Sequence, residues 1–289
     1  MAVVAPSGPV DSDRLELGSE RIRRLGLDVR AGDHVTAHHR YLAGRDADRA
    51  ADLQAAWCDP DIRAVICARG GYGAGRLLPL LDWDALAAAG PKLLHGSSDI
   101  TALHMVFGDR LGLVTSFGPM PANLLLGGAE PDAESLDHLR RALFEPQSAR
   151  RFRGTHALAG GTATGTLVGG NLSLLAAAIG TPWRPAPARG RLVLLEDVCE
   201  EAYRVDRMLT QLLHAGWLAG AAGIVLGSWE ECGDDIEETL AERLRPLGVP
   251  ILAGLPVGHG RPQLTMPLGI EATLDADRRL LIVDVPALA

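Results

Sequence analysis

Gly96-Ser97-Ser98-Asp99 falls between an apolar pair, Leu93-Leu94, and a helix-patterned stretch that starts at Ile100. A serine on a sharp strand-to-helix turn presents its hydroxyl outward, and free N–H groups at a helix start can stabilise an oxyanion. The same serines also suit a plain helix N-cap, and the local pattern on its own favours the cap. The hydrolase elbow Gly-x-Ser-x-Gly does not fit, because Ile100 fills the last glycine position.

Three further stretches carry chemical potential. Arg69-Gly70-Gly71-Tyr72-Gly73 follows the apolar run Ala64–Cys67, and glycines there let the backbone approach a ligand and aim N–H groups at it. A tight turn explains the glycines equally well. The dinucleotide fingerprint fails, since counting from Gly71 puts Arg76 in the third glycine slot. In Leu194-Leu195-Glu196-Asp197-Val198-Cys199-Glu200-Glu201 the helix dipole accounts for most of the acids. Glu196 differs, as the first polar residue after an apolar strand, where a carboxylate can hold a histidine in one tautomer. Gly258-His259-Gly260 sets a histidine in a glycine-flanked loop, a setting shared by many solvated histidines. His34 and His38 have i,i+4 spacing but no acid pattern for zinc, so no metal and no cofactor are expected.

The elements that must position these residues read as alternating strands and helices. Val3-Val4-Ala5, Ala64–Cys67, Leu93-Leu94 and Leu113-Val114 are strand candidates; Asp11–Leu25, Arg45–Cys58 and the stretch from Ile100 are helical. That alternation predicts a parallel sheet covered on both faces. A further amphipathic helix spans Pro131–Phe144, and Glu145–Arg151 has linker composition. Beyond it come a Gly-rich β-type stretch, a strand at Arg191–Leu195, a helix from about Glu200 to Ala215 with a Glu200–Arg204 pair, and strands at Gly223–Leu226, Ile251–Ala253 and Leu280–Val283.

The whole chain has 289 residues, 47% hydrophobic and 22% charged, which excludes a mainly disordered protein and suits about two domains. A net charge of −8 and the absence of any Lys/Arg block argue against nucleic acid as a partner. Cys58, Cys67, Cys199 and Cys232 lack metal-type spacing and read as buried small hydrophobes in a reducing compartment. No signal peptide or membrane span is recognisable, so the expected location is the cytoplasm.

Taken in order, these pieces resemble the LD-carboxypeptidases, or muropeptide carboxypeptidases, with the related microcin C self-immunity peptidases. The resemblance runs nearly end to end. It rests on Val4-Ala5-Pro6-Ser7-Gly8-Pro9, Ala43-Gly44-Arg45-Asp46, Arg69–Gly73, Gly96-x-Ser98-Asp99 and Gly118-Pro119-Met120 in the first half. The second half adds Gly169-Gly170-Asn171-Leu172, Leu195-Glu196-Asp197, Asp206-Arg207-Met208-Leu209 and Gly258-His259. The resemblance implies a serine peptidase with Ser98 as nucleophile, Glu196 as triad acid, His259 as general base, and the backbone N–H groups of Asp99 and Gly71 as oxyanion hole. It implies an α/β protein: an N-terminal flavodoxin-like parallel-sheet domain (1–144), a linker (145–160), a C-terminal mixed α/β domain (161–289), and an active site in the interdomain cleft. It also implies a homodimer and a muropeptide or small-peptide substrate cut before its terminal D-alanine. Arg69 and Arg76 are candidates for that residue's carboxylate.

Two departures bear on the pocket: Phe117 stands where histidine is common, and Ser97 where an aromatic is common. They motivate an alternative substrate, a peptidyl-nucleotide or another amide. A third reading, a non-catalytic α/β ligand-binding module, keeps Ser98 as a helix cap.

Overall fold

Short β-branched and aliphatic runs, each closed by a glycine or polar turn, set the first layer of a computed structural model that describes residues 1–288. Strands β1 (Ala2–Val4), β2 (Arg30–Ala31), β3 (Ala64–Cys67), β4 (Leu93–Gly96) and β5 (Thr115–Phe117) pair in parallel in the order β2-β1-β3-β4-β5. That order is the flavodoxin-like one, with its switch point between β1 and β3. Helices α1 (Ser12–Arg24), α2 (Asp46–Cys58), α3 (Trp83–Ala88) and α4 (Thr101–Leu111) connect these strands, followed by the short α5 (Leu124–Gly127) and α6 (Ala133–Phe144). Asp11, Asp82 and Asp132 cap α1, α3 and α6 by accepting from backbone N–H groups, which fixes where each begins. Trp57 and Phe107 meet edge-on at 4.9 Å between α2 and α4 and anchor the core on that face of the sheet.

The second layer is a mixed eight-stranded sheet. Its strands are β6 (Arg151–Arg153), β7 (His156–Ala159), β8 (Thr162–Asn171), β9 (Leu192–Val198), β10 (Gly223–Glu230), β11 (Ile251–Ala253), β13 (Ile270–Asp275) and β14 (Leu280–Val283), while β12 (Met266–Leu268) lies elsewhere. The order is β6-β14-β13-β8-β9-β10-β11-β7, with β8 through β11 parallel and the flanking pairs antiparallel. Helices α7 (Leu172–Ala178), α8 (Ala202–His214) and α9 (Ile236–Leu244) pack their apolar stripes on it.

Several expectations need adjusting. Residues 145–160 are not a free linker by structure: they hold a 3₁₀ turn, then β6 and β7, which close opposite edges of the second sheet. β12 crosses back and pairs antiparallel with β5, so the first sheet is completed from the second half of the chain. β9 continues three residues past Leu195, because Glu196, Asp197 and Val198 keep pairing with β8 or β10. The strand expected at Leu113-Val114 starts at Thr115, after Gly112 ends α4 in the left-handed region. Cys67 and Cys232 are buried as expected, whereas Cys58 and Cys199 are exposed. Arg204 approaches Glu200 at 3.8 Å, the expected one-turn pair. Among the described residues no helix is long and apolar enough to cross a membrane.

Candidate active site

The loops after β1, β3 and β4 meet at the carboxyl end of the first sheet, the usual site of ligands in open α/β sheets. Gly8 N–H donates to the Gly70 carbonyl at 3.1 Å. The Asp99 carboxylate, 1% exposed, accepts from the Ser7 hydroxyl at 2.6 Å and from the Ala74 N–H at 2.8 Å. One buried side chain thereby fastens all three loops. Burial pushes the Asp99 carboxyl up, while its bonds to Ser7 and Ala74 pull the other way. Arg49, fully buried, donates to the Pro6 and Gly73 carbonyls and pins the first two loops from below.

Ser98 follows β4 by two residues and has φ +62°, a left-handed value that a serine adopts only where its surroundings hold it. Neither Ser97 nor Ser98 caps the following turn or α4 through its side chain. The capping alternative therefore loses its support, and the Ser98 hydroxyl has no hydrogen-bond partner among the described residues. Gly70 lies against it: a Cβ at position 70 would sit 2.7 Å from Ser98 Cβ and 2.9 Å from its Oγ, so only glycine permits this approach. The Gly71 N–H has no acceptor among the described residues.

The second sheet brings the other two groups together. Glu196 is fully buried in β9, opposite Asn171 of β8. Its Oε2 accepts from His259 Nδ1–H at 2.7 Å, and its Oε1 from Asn171 Nδ2 at 3.2 Å. Asn171 Nδ2 also donates to Asp197 Oδ1 at 2.9 Å, which separates two neighbouring carboxylates. Gly258 lets the histidine loop lie on the acid: a Cβ there would be 2.5 Å from Glu196 Oε2, and φ is +120°. The Ser228 hydroxyl accepts from Gly260 N–H at 2.9 Å and holds the far side of the loop. Burial lowers the His259 pKa, but the hydrogen bond and charge of Glu196, helped by Asp197 and Glu230, overcome it and leave the net shift upward. With Nδ1 committed to Glu196, Nε2 is the basic nitrogen.

His259 lines a cleft of about 290 Å³ together with Ser97, Arg69 and Gln263. Ser98 sits beside this cleft against Gly70, and no hydrogen bond links it to His259 among the described residues; such contacts often close only with substrate bound. Phe117 does not shape the cleft. It is fully buried in β5, with its ring 5.8 Å from that of His104, so the pocket effect expected of it falls away. Ser97 does face the cleft. Arg76 is held by Asp46 at 2.6 Å, on the exposed side of the second loop. The supporting roles of the Asp99 carboxylate, Ser7, Arg49, Asn171 and Ser228 were not read from sequence. For Ser7 and Asn171 the signal was present in the strings Pro6-Ser7-Gly8-Pro9 and Gly169-Gly170-Asn171, which local pattern explains as turns.

Known proteins agree with this architecture. Residues 1–118 match the LD-carboxypeptidase N-terminal domain and residues 164–274 the LD-carboxypeptidase C-terminal domain. The chain belongs to the LD-carboxypeptidase family of serine peptidases and is an enzyme. A Streptomyces coelicolor protein named as a carboxypeptidase is 52% identical over 100% of this chain and 94% of its own length. The crystal structure of muramoyltetrapeptide carboxypeptidase from Oxalobacter formigenes superposes with a TM-score of 0.86 at 32% identity, covering 99% of each chain. The microcin self-immunity protein known from Escherichia coli, in complex with aspartyl sulfamoyl adenosine, gives a TM-score of 0.90 at 25% identity, covering 100% of this chain and 96% of that one.

Proposed function

We propose that this protein is a serine carboxypeptidase that hydrolyses the LD peptide bond before the terminal D-alanine of cytoplasmic muropeptides, as a homodimer acting in cell-wall recycling. The observation that carries the reading is the 2.7 Å His259–Glu196 hydrogen bond at the wall of a cleft beside the strained Ser98 turn. His259 Nε2 takes the Ser98 proton as Oγ attacks the scissile carbonyl carbon, and the carbonyl π electrons move onto oxygen. The N–H groups of Asp99 and Gly71 receive that oxyanion. Collapse breaks the C–N bond, His259 returns the proton to the leaving amine, and water repeats the cycle on the acyl-enzyme. Glu196 orients the ring and stabilises its protonated form. The assay is release of D-alanine from a defined tetrapeptide: the wild-type protein releases it, and Ser98→Ala loses several orders of magnitude, on the order of 10⁶ in a well-studied serine protease. Near-normal release by Ser98→Ala rejects the nucleophile.

The likeness to the self-immunity protein favours a second reading, in which the same groups cleave an amide of an aminoacyl nucleotide. Both substrates assayed side by side separate the two; activity on the nucleotide alone rejects the muropeptide role.

A further inference from the structure

Arg69 precedes the Gly70-Gly71 turn and is half-buried on the wall of the His259 cleft. Its Nη1 donates to the Pro9 carbonyl at 2.9 Å; its other nitrogens make no hydrogen bond, and no carboxylate pairs with it, among the described residues. Arg14, the other cation of the cleft, faces Asp11 at 3.9 Å. Gln263, only 2% exposed, lines the same cleft with its Nε2 unpartnered, while its backbone N–H is fixed to the Ser135 hydroxyl at 2.9 Å. A guanidinium without a counter-charge, lining the same cleft as a buried amide with unused donors, gives a donor set suited to a carboxylate, which arginine grips in a forked geometry.

Resting on the carboxypeptidase reading above, we propose that Arg69, assisted by Gln263, binds the terminal carboxylate of the substrate and so confines cleavage to the last peptide bond. The location follows from His259. An imidazole that returns a proton to the leaving amine must face the leaving residue, whose carboxylate is attached one carbon from that amine. His259 and Arg69 share one cleft, so the carboxylate comes to rest on the arginine's side of it. A peptide continuing past this point would set a neutral amide against Arg69 and leave the guanidinium uncompensated.

Two peptides of identical sequence, one ending in D-alanine and the other in D-alaninamide, test this with the wild-type protein, Arg69→Gln, Arg69→Lys and Arg76→Gln. Wild type and Arg76→Gln prefer the free acid in kcat/KM by about 10²-fold, the scale expected for removing one partner of a buried charge pair. Arg69→Gln loses this preference, so its acid-to-amide ratio approaches one, and Arg69→Lys recovers part of it. A ratio for Arg69→Gln equal to wild type, or equal ratios for Arg69→Gln and Arg69→Lys, overturns the proposal. Should Arg69→Gln not fold, the wild type alone decides: D-alanine inhibits more strongly than D-alaninamide, and equal inhibition overturns it. Release of D-alanine by the wild type without any preference removes the role of Arg69 but leaves the carboxypeptidase reading standing. No release from either peptide removes both.

Discussion

Two groups of buried imidazoles flank the Ser98 turn, and they are tuned in opposite directions. Beneath it, His95 is bonded through Nδ1 to the Ser116 hydroxyl at 2.9 Å and through Nε2 to the Pro119 carbonyl at 2.8 Å; His104 Nε2 donates to the Gly96 carbonyl at 2.9 Å. Both are wholly enclosed with no carboxylate partner, and burial lowers each pKa to about 4. At the cleft, His259 is also largely enclosed, yet its pKa is raised because Glu196 shares the interior with it. Burial alone makes a histidine an inert, neutral strut. A buried carboxylate at hydrogen-bond distance makes it a base that can carry a proton through a catalytic cycle.

The strongest way to break that contrast is Glu196→Gln, which gives His259 a neutral partner like those of His95. Turnover falls by roughly 10⁴, the scale seen when a triad acid becomes an amide. With His259 as the proposed base, neutral in the active form, activity rises with pH through its raised pKa, and loss of the Glu196 charge moves this acid limb to lower pH. A pH–rate profile that does not shift would show that Glu196 does not govern the imidazole.

Stability against pH gives the next largest effect. His95 and His104 bind protons more readily unfolded, near the ordinary histidine value of about 6.5, than folded, near 4. Their support for the fold is intact above about pH 6.5 and is lost between there and pH 4, at about 3 kcal/mol each. The His259–Glu196 pair runs the other way: its contribution is complete below the unfolded value of 6.5 and fades as pH rises through the raised folded one. Denaturant titrations across pH 4–8 with His104→Gln check this, since that variant should flatten the acid slope; an unchanged slope counts against a neutral His104.

Asn171→Ala removes the side-chain donor that Glu196 and Asp197 share. We expect a loss of about 1–3 kcal/mol, read by urea unfolding, together with reduced turnover. The smallest effect belongs to Ser97→Ala, which alters the cleft wall and not the proton path. It should change KM by a few-fold and leave the pH profile where it was.

Much of this could be read from residue patterns, because strand–helix alternation and glycine punctuation act locally. The helices at 12–24 and 46–58 and the buried run 64–67 lie within a residue or two of expectation. The three candidate catalytic positions came from local setting and family resemblance together. Less legible were features made by distant contacts. The strand that hydrophobicity ends at Leu195 runs on to Val198, because β8 pairs with Glu196 and β10 with Asp197 and Val198. Asp99 is expected to act only through its backbone N–H, yet its carboxylate ties Ser7, 92 residues away, and Ala74, 25 residues away, once the sheet brings their loops together. Phe117 shows the converse: family comparison marked it as a pocket residue, and packing turned it inward.

The return of β12 to the edge of β5 has a consequence for synthesis. As the chain leaves the ribosome, the sheet that carries Ser98 keeps its β5 edge open for hydrogen bonding until residue 268 has emerged. An exposed edge invites pairing with neighbouring nascent chains. Maturation of the half that carries Ser98 is thereby tied to arrival of the half that carries His259, and a polypeptide terminated at residue 150 would be an aggregation-prone fragment.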